Sequence, residues 1–514
     1  MSDASVLFYE GYLRNRKRLC AELSVEDSHD RGRTEQSVLL AGYARWGRDV
    51  VHHLYGSFSF ALREAGGKLF CARDHFGIKS FYYTCLPNGR LICATDISGI
   101  TADPGYRKAI DPDALQLYMM FGYPAGEATL FRGIRKLMPG CALTWDAGVC
   151  NIEQYYRPTF HPEYGVSEQA WIDRFDATLQ EIFDDDRAAM GLGDGSAFLS
   201  GGVDSALLLA ASGVKRAASV RFRESAYSEW EAASETAAWL GRELHGITLS
   251  AEEYLDAIPR YLRNAELPTS DSCVTAFLLG CEHTGGKGGP WLSGEGADEF
   301  FAGYKNYRLA PKLAWDDGPT HLGLIGIMPQ EDARRLLGQR KACPTEYLVR
   351  DLYAQTAHDE HLSRLLLIDI RLWLEGDILF SVNRSARANG VELLLPYADR
   401  RMFELSAAIP SDLKWHDGCG KYILRRTAER WLPHDIAFRP KLGFMNPLRH
   451  WFLEDAFRPR IEKVLFGKVS AQFFDQAILR RYWDGLLNGK DMNWNIVYAA
   501  YVFAVWYECC YEKL

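Results

Sequence analysis

An apolar segment runs through a glycine turn into a helix in the sequence Phe198-Leu199-Ser200-Gly201-Gly202-Val203-Asp204-Ser205. Paired glycines let backbone N–H groups approach an anion closely, and the start of a helix adds a favourable dipole. Asp204 falls in the first helical turn, beside the phosphates that such a turn binds, and it predicts a Mg²⁺ ion that bridges them. No Gly-Lys-Ser/Thr follows, which excludes a Walker loop. The alternative is a tight strand-to-helix turn with a solvated aspartate.

A second apolar segment ends in a turn of small and acidic residues, Trp291-Leu292-Ser293-Gly294-Glu295-Gly296-Ala297-Asp298-Glu299. In a parallel sheet, ligands bind at the carboxyl ends of the strands, so this turn and the first are expected to meet there. Asp298 would then be a second Mg²⁺ ligand, and Glu295 would face the reacting centre. An acidic helix start stabilised by the dipole is the alternative, and it explains Glu299 better than the other two carboxylates.

Two lysines lie far downstream, Lys421 within Gly420–Arg425 and Lys441 within Arg439–Phe444. A transition state at phosphorus needs fixed cations, and lysine supplies a compact point charge. Either lysine alone is more commonly a solvated surface charge. Together with the two acidic turns they become catalytic candidates.

Secondary-structure patterns divide the chain at a polar segment with proline and glycine, residues 161–167, which we interpret as a linker. Residues 1–160 contain short apolar runs separated by Gly, Asn and Asp, with two helical patterns at Gln36–Trp46 and Pro112–Gly122, and therefore predict an α+β domain. From residue 168 to 514 a long amphipathic helix leads into alternating strands and helices, which predicts an α/β domain with a parallel sheet. After about residue 305 the pattern is mostly helical.

Composition excludes several classes of protein. The 514 residues are 47% hydrophobic and 25% charged, as in ordinary globular proteins, and the net charge of −8 gives no broad basic surface for nucleic acid. Twelve cysteines without a CxxC pair argue for a reducing compartment and against both a disulfide framework and structural zinc. Met1–Leu13 does not resemble a signal peptide, and Ile496–Tyr507 is too short to span a bilayer. We expect a cytoplasmic protein that binds neither nucleic acid nor membrane.

These motifs resemble the asparagine synthetase family over nearly the whole chain. Ser200–Ser205, Ser293–Glu299 and Lys421–Gly443 are similar to its synthetase motifs, as is Tyr227-Ser228-Glu229. Similarity to its N-terminal glutaminase domain is carried by Gly56–Phe60, Ala72–Lys79 and Thr129–Lys136. The resemblance implies an N-terminal Ntn-type αββα sandwich, followed by a parallel-sheet PP-loop ATP pyrophosphatase domain with a helical extension.

The family's activity is ATP-dependent amide formation with Mg²⁺. A carboxylate attacks the α-phosphate of ATP, Mg²⁺–pyrophosphate leaves, and an amine captures the acyl-adenylate. The resemblance implies that pyrophosphate is held by Ser200, Gly201, Gly202, Asp204 and Ser205, and Mg²⁺ by Asp204 and Asp298. It implies that adenosine is framed by Phe198, Leu199, Val220, Ser293 and Gly294. Lys441 would stabilise the adenylation transition state, with Lys421 supporting the phosphates.

The glutaminase motifs depart from the family at each functional position. Ser2 stands where the family has its N-terminal cysteine nucleophile, and about fifty residues ahead of Phe8–Leu13 are expected to be missing. Glu10 replaces the asparagine that stabilises the oxyanion, and Arg33 replaces the acid that binds the amine of glutamine. We therefore expect a degenerate, inactive glutaminase domain.

The acceptor segment Val382–Asp399 has also changed. Leu394 stands where the family has arginine, and Asn383 where it has aspartate. Losing a guanidinium removes a bidentate partner for a carboxylate, so free aspartate is not the expected acid, although Leu394 as a core residue is an equal alternative. Acceptor-pocket candidates on this segment are Arg387, Glu392 and Asp399.

The expected function is an amide ligase that joins a carboxylate to an amine or ammonia from outside its own glutaminase. Specialised-metabolite or peptide biosynthesis, such as macrolactam closure, is the expected setting, although Glu295 replaces the tyrosine of β-lactam-forming relatives. The alternatives are an ammonia-dependent asparagine synthetase and a non-catalytic scaffold. A tRNA-modifying ATP pyrophosphatase would share the glycine turn, but the charge of −8 disfavours it. A homodimer and a complex with a pathway partner protein both remain open.

Overall fold

The computed structural model describes residues 4–28, 30–224, 227–285, 289–313, 326–356, 358–440, 443 and 446–514. Two of the residues discussed above, Ser2 and Lys441, lie outside these ranges.

The N-terminal domain is built mainly from short strands. Its elements are β1 Ser5–Leu13, α1 Arg16–Leu23, α2 Arg31–Trp46, β2 Gly56–Arg63, β3 Leu69–Arg73, β4 Tyr82–Cys85, β5 Leu91–Ala94, α3 Ser98–Thr101, α4 Pro112–Phe121, β6 Arg135–Lys136, β7 Cys141–Asp146 and β8 Val149–Gln154.

Two antiparallel sheets form this domain, with strand orders β1-β2-β3-β7-β8 and β5-β4-β6. Buried side chains from both sheets share one cluster, in which Cys71 and Leu143 of the larger sheet meet Tyr83 of the smaller. Apolar side chains on the facing sides of the two sheets bury this cluster between them. The predicted sandwich is confirmed.

The C-terminal domain begins with an α/β half. Its elements are α5 Glu168–Met190, β9 Ser196–Phe198, α6 Val203–Ser212, β10 Arg216–Phe222, α7 Trp230–Trp239, β11 Glu243–Leu249, α8 Ala251–Ala265, α9 Cys273–Thr284, β12 Trp291–Leu292 and α10 Ala297–Phe301.

The rest of the domain is mostly helical. It comprises α11 Gln330–Leu336, α12 Arg350–Gln355, α13 His361–Asp369, a π-helical stretch Ile370–Leu379, α14 Phe380–Ala388, β13 Leu393–Leu394, α15 Arg400–Ala408, α16 Ser411–Lys414, β14 Trp415–His416, β15 Cys419–Gly420, α17 Tyr422–Ala428, α18 His434–Ala437, α19 Leu448–Leu453, α20 Arg458–Leu465, α21 Lys468–Phe473, α22 Gln476–Leu487, α23 Trp494–Trp506 and a second π-helical stretch, Tyr507–Tyr511.

Five parallel strands form the main sheet of the C-terminal domain in the order β11-β10-β9-β12-β13. The chain runs from β9 outward to β11 and then returns to the other side of β9 with β12 and β13. The strand order therefore reverses between β9 and β12. Such a reversal opens a crevice at the carboxyl ends of the two strands, which is where open α/β sheets bind ligands.

Capping residues explain why the long helices begin and end where they do. The Ser167 side chain accepts a hydrogen bond from the Ala170 backbone N–H at the start of α5, and Gly191 ends that helix in the left-handed region with φ 69°. Asp111 caps α4 in the same way, by accepting from the N–H groups of Asp113 and Ala114. Both helices follow the sequence-based expectation, whereas α2 begins five positions earlier than the predicted Gln36 because Asp30 caps it at Arg31.

Side chains from both domains form one continuous core. Phe76 and Phe131 from the first domain belong to the same buried cluster as Phe183, Leu207 and Trp506 from the second. The linker also contacts the second domain, because the backbone N–H groups of residues 161 and 163 donate to carbonyls at the end of α15. Shared burial of this kind couples the stability of the two domains.

Three buried carboxylates of the C-terminal domain bind cations of the N-terminal domain. Glu375, in the first π-helical stretch, pairs with Arg73 and Lys136 of the N-terminal domain, each at 2.9 Å. Arg14, directly after β1, pairs with Asp186 and Asp399, each at 2.7 Å. Breaking a buried pair leaves an uncompensated charge, so these contacts strongly favour this domain arrangement.

Among the helices that the structure describes, none is long and apolar enough to cross a membrane.

Candidate active site

Hydrogen bonds of Ser200 and Ser205 fix the conformation of the first glycine turn. The Ser200 hydroxyl lies 2.9 Å from that of Ser205 and accepts from the Gly202 N–H, while the Ser200 N–H donates to the Ser205 hydroxyl. A Cβ on Gly201 would lie 3.0 Å from the Cβ of Ala232, which explains why this position takes no side chain. The turn thus keeps its backbone close to the start of α6, as anion binding requires.

The second turn reaches the first, as the sequence predicts. A Cβ on Gly294 would lie 3.2 Å from the Cβ of Asp204, so the two turns are in direct contact. The Ser293 N–H donates to the carbonyl of Leu394 in β13, and the Ser293 hydroxyl donates to Oε1 of Glu295 at 3.2 Å. Glu295 is therefore positioned by the same turn that closes on Asp204.

A lysine joins the two aspartates. Nζ of Lys421 lies 2.5 Å from Oδ2 of Asp204 and 2.7 Å from Oδ1 of Asp298. The lysine is only 2% exposed, whereas the carboxylates are 17% and 18% exposed. Burial alone lowers the pKa of Lys421, but the two carboxylates raise it above its ordinary value, so the ammonium stays charged.

The backbone at Lys421 adopts a conformation that few side chains take. Its φ of 59° is left-handed, directly after the short hairpin of β14 and β15 and before α17. The Lys421 N–H donates to the carbonyl of Phe301 at the end of α10. This strained position places the ammonium beside the helix that carries Asp298.

The carboxylate pair fits a Mg²⁺ ion bound together with phosphates. Oδ1 of Asp204 is buried, and no group in the described ranges hydrogen-bonds to it. Those ranges contain no cluster of three or more His, Cys, Asp or Glu side chains that could hold a metal. Mg²⁺ usually takes only one or two protein carboxylates and completes its shell with water and phosphate oxygens, so Asp204 and Asp298 suffice.

The residues expected to frame adenosine lie on the neighbouring strand ends. Leu199 is buried and its N–H donates to the carbonyl of Ala218, while Val220 lies two residues further along β10. The Phe198 ring packs against Trp291, with ring centroids 4.7 Å apart. These contacts make an apolar floor beside the glycine turn, a surface on which a base can pack.

Arg439 is a site residue that the sequence analysis left without a role. Its Nη1 donates to the carbonyl of Ala232 at 3.0 Å and lies 3.5 Å from that of Gly201, and its Nη2 pairs with Glu235 at 2.6 Å. Arg439 opens the same Arg-Pro-Lys segment that contains Lys441. Since Lys441 lies outside the described residues, Arg439 is the visible link between that segment and the first turn.

The three acceptor-pocket candidates face the N-terminal domain rather than the two turns. Arg387 binds Asp96 through two hydrogen bonds of 2.9 Å and lies 3.6 Å from Glu10. Glu392 pairs with Arg31 at 2.9 Å.

Asp399 is buried between Arg14 and Arg401 and caps α15. Burial raises its pKa, but the two arginines bring the pKa down to about 2, so the carboxylate remains ionised. All three candidates thus have partners at the domain interface, and their assignment to an acceptor pocket stays a prediction. These contacts depend on side-chain direction, which spacing along Val382–Asp399 does not reveal.

Leu394 and Asn383, the two positions of this segment that differ from the family, both contact other parts of the protein. Leu394 is fully buried in β13, and Asn383 accepts a hydrogen bond from Nζ of Lys79 at 2.8 Å. Burial of Leu394 agrees with the alternative that it is a core residue.

Gly303 leaves the space that the lysine occupies. A Cβ there would lie 1.9 Å from Oδ1 of Asp298 and 2.1 Å from Cε of Lys421. Gly303→Ala is expected to displace the ion pair and to lower the rate of AMP formation by about 100-fold, since displacements of about 1 Å at a reacting centre have such effects. Gly193→Ala, at a glycine with open space around it, is the matched control in a steady-state assay. Equal rates for the two variants would contradict this role of Gly303.

Comparison with known proteins agrees with this geometry. A family model described as asparagine synthase matches residues 186–508, and a glutamine amidotransferase domain model matches residues 1–156. A relative named asparagine synthetase [glutamine-hydrolyzing] 1, from Bacillus subtilis (strain 168), is 26% identical across 99% of this chain and 86% of its own length. A putative asparagine synthetase [glutamine-hydrolyzing] from Mycobacterium tuberculosis (strain ATCC 25618 / H37Rv) is 28% identical across 98% and 84%. Amidase chyE from Penicillium rubens is 26% identical across 64% of this chain and 51% of its own length.

The parallel sheet, its glycine turn and the lysine-bridged carboxylates define an ATP-dependent ligase that forms carbon–nitrogen bonds. The chain belongs to the asparagine synthase family, with an N-terminal domain of the glutamine amidotransferase type.

Proposed function

We propose that the chain adenylates a carboxylate with ATP and Mg²⁺ and transfers the acyl group to an amine that its own N-terminal domain does not supply. The observation that carries this proposal is the contact of both turns at Asp204, which Lys421 links to Asp298. In addition, the buried Oδ1 of Asp204 has no hydrogen-bond partner in the described ranges. A site that had lost its chemistry would not be expected to retain three charges at this degree of burial.

Each residue of the site would then have a definite task. The backbone at Gly201 and Gly202 would hold pyrophosphate together with the hydroxyls of Ser200 and Ser205. Asp204 and Asp298 would hold Mg²⁺, which neutralises charge on the phosphates when it is bound.

The other charged residues would act on the two substrates. Lys421, fixed between the aspartates, would offer its remaining donor to a phosphate oxygen. Glu295 would orient the incoming amine and accept its proton at the carboxylate. Lys441 would stabilise charge that develops at the α-phosphate, as the resemblance implies.

Two substitutions within the N-terminal domain support the loss of glutaminase activity. Glu10, on β1 opposite Ser59, carries a carboxylate where an amide donor would be needed, and an ionised carboxylate cannot donate to an oxyanion. Arg33, exposed in the first turn of α2, carries a cation where a carboxylate would hold the ammonium of glutamine. Glutamine would then find neither its oxyanion donor nor its anchor.

We expect no glutamate release when the full chain is incubated with glutamine, with or without ATP and Mg²⁺. Ammonium chloride or a primary amine should instead support product formation, because the amine enters from outside. Glutamate is measured by coupled dehydrogenase assay, with the protein-free mixture as the blank. Glutamate formation by the pure protein above that blank would overturn this part of the proposal.

The carboxylate is proposed to be an acid other than free aspartate. Support comes from the replacement of an expected aspartate by Asn383, which removes a charge that a free amino acid needs. Leu394, which is fully buried, fits a core position and does not bear on the identity of the acid. The amidase name of one relative also differs from those of the asparagine synthetases. The second candidate is an ammonia-dependent asparagine synthetase, which is favoured by the near-complete coverage of relatives with that name.

A further inference from the structure

A cavity of about 150 Å³ lies between the two domains, away from both turns. Its apolar wall is shared by residues of the N-terminal domain and of the helices α12 and α13 with the π-helical stretch that follows them. The apolar residues that line it include Phe76, Met138, Cys141, Leu352, Leu367 and Ile370. None of its lining residues belongs to the two turns that contact Asp204, so the cavity is separate from the candidate active site.

The charged side chains around this cavity leave an excess of positive charge. Lys136 is neutralised by Glu375, and Glu127 by Arg135 at 3.2 Å. The guanidinium of Arg371, a half-buried residue at the cavity, makes no hydrogen bond or ion pair with any residue that the structure describes.

A second arginine at the cavity is also without an acidic partner. Arg157 donates to the amide oxygen of Gln154 at 2.9 Å, and within the described part of the chain no carboxylate pairs with it. Two guanidinium groups thus stand beside one apolar space. Arginine pairs with carboxylates in a bidentate geometry, so an anion of this kind is the partner that these groups favour.

A third polar group lines the same space. Nε2 of His75 is buried, and no hydrogen-bond partner for it exists among the residues described. Burial lowers the pKa of His75 to about 3, so the ring is neutral and Nε2 can donate or accept according to its tautomer. A buried polar atom without a partner is uncommon in folded proteins and calls for one.

We infer that this interdomain cavity binds a small carboxylic acid with an apolar body of about six carbons. An apolar cavity of about 150 Å³ is large enough for one benzene-sized group. The apolar wall would bury the ring, while Arg371 and Arg157 would hold the carboxylate. The site does not depend on the proposed function, because it shares no residue with the ATP site.

Calorimetric titration of the full chain with sodium benzoate tests this inference. We expect one benzoate per chain with a Kd of about 0.1–10 mM, the range typical of a ligand of this size. Arg371→Met should weaken binding about tenfold or more, because a charge-assisted hydrogen bond is lost. Arg350→Met, at an exposed arginine on α12, is the matched control and should bind as the unmodified chain does.

Two further experiments distinguish binding in the cavity from non-specific attraction of an anion to the protein. Benzamide, which has the same ring without the charge, should bind about tenfold more weakly than benzoate. Met138→Trp keeps both arginines but fills the cavity, and it should abolish binding while circular dichroism shows an unchanged fold. Absence of benzoate binding to the unmodified chain, or binding that either Arg371→Met or Met138→Trp leaves intact, would overturn the inference.

Discussion

Asp204→Asn is expected to lower AMP formation by about 100- to 1,000-fold, the effect of removing one preorganised electrostatic contact from a reacting centre. The substitution removes the charge that Lys421 contacts at 2.5 Å and one of the carboxylate oxygens that are proposed to bind Mg²⁺. Asparagine has nearly the same shape, so the fold should persist. The measurement is the initial rate of AMP formation from ATP in the presence of an accepted acid and amine.

Asp417→Asn is the matched control for this experiment. Asp417 lies in the hairpin that precedes Lys421, but its side chain is 94% exposed and contacts neither turn. We expect its rate to equal that of the unmodified chain. An Asp204→Asn variant that retained full activity would remove Asp204 from the mechanism.

Glu375→Gln is expected to lower the free energy of unfolding by about 3–5 kcal/mol, the usual effect of breaking a buried ion pair. The change leaves Arg73 and Lys136 buried beside a neutral amide. Burial raises the pKa of Glu375, but these two cations lower it below its ordinary value, so the carboxylate is charged in the folded protein. Chemical denaturation followed by fluorescence measures the loss.

Glu331→Gln removes a carboxylate from an exposed pair of contacts with Arg334 and Arg335 and serves as the comparison. Exposed pairs contribute about 0–1 kcal/mol, so its unfolding midpoint should hardly move. Equal midpoints for Glu375→Gln and Glu331→Gln would show that the buried interface does not hold the domains together.

Much of the fold could be predicted because local signals and tertiary packing agree. Helix α5 has a serine cap, an amphipathic body and a glycine stop, and the structure places its ends at Glu168 and Met190. The glycine turn after β9 combines strand, turn and helix signals within a few residues. The two-residue strands β12 and β13 are recognisable only through their pairing partners, since such short segments carry no periodicity of their own.

The sequence predicted which charged residues belong to the centre of the site, but it did not predict which of them contact one another. Lys421 lies 217 positions from Asp204, and no sequence spacing reports that its ammonium bridges two aspartates. Gly303 and Arg439 gave no separate signal, because a small residue and a surface-type cation are common in loops. Their roles follow only from the atoms that surround them.

The contacts of the acceptor candidates could not be predicted from the sequence. Arg387, Glu392 and Asp399 lie on one segment beside the second turn, yet their side chains bind the N-terminal domain. The segment passes between the two domains, so a side chain on it can point either to the N-terminal domain or to the second turn. The charge of a residue and its position along the chain do not show which of these two directions its side chain takes.

The N-terminal domain is thus well placed to act as a structural partner of the synthetase. Its buried cations Arg14, Arg73 and Lys136 all pair with carboxylates of the C-terminal domain, and the hydrophobic core continues across the boundary. Such contacts would preserve the domain even where glutamine hydrolysis has been lost. Loss of one activity need not remove a fold that stabilises another.

ATP–pyrophosphate exchange is the direct test of whether the chain adenylates a carboxylate. The full chain is incubated with Mg²⁺, ATP and labelled pyrophosphate, with aspartate, a panel of other carboxylates or a host extract as the acid. We expect exchange that depends on one acid other than aspartate and is lost in Asp204→Asn. Exchange driven by aspartate would instead support an ammonia-dependent asparagine synthetase. Absence of exchange with every acid, including in the presence of amines, would contradict adenylation and favour a non-catalytic scaffold.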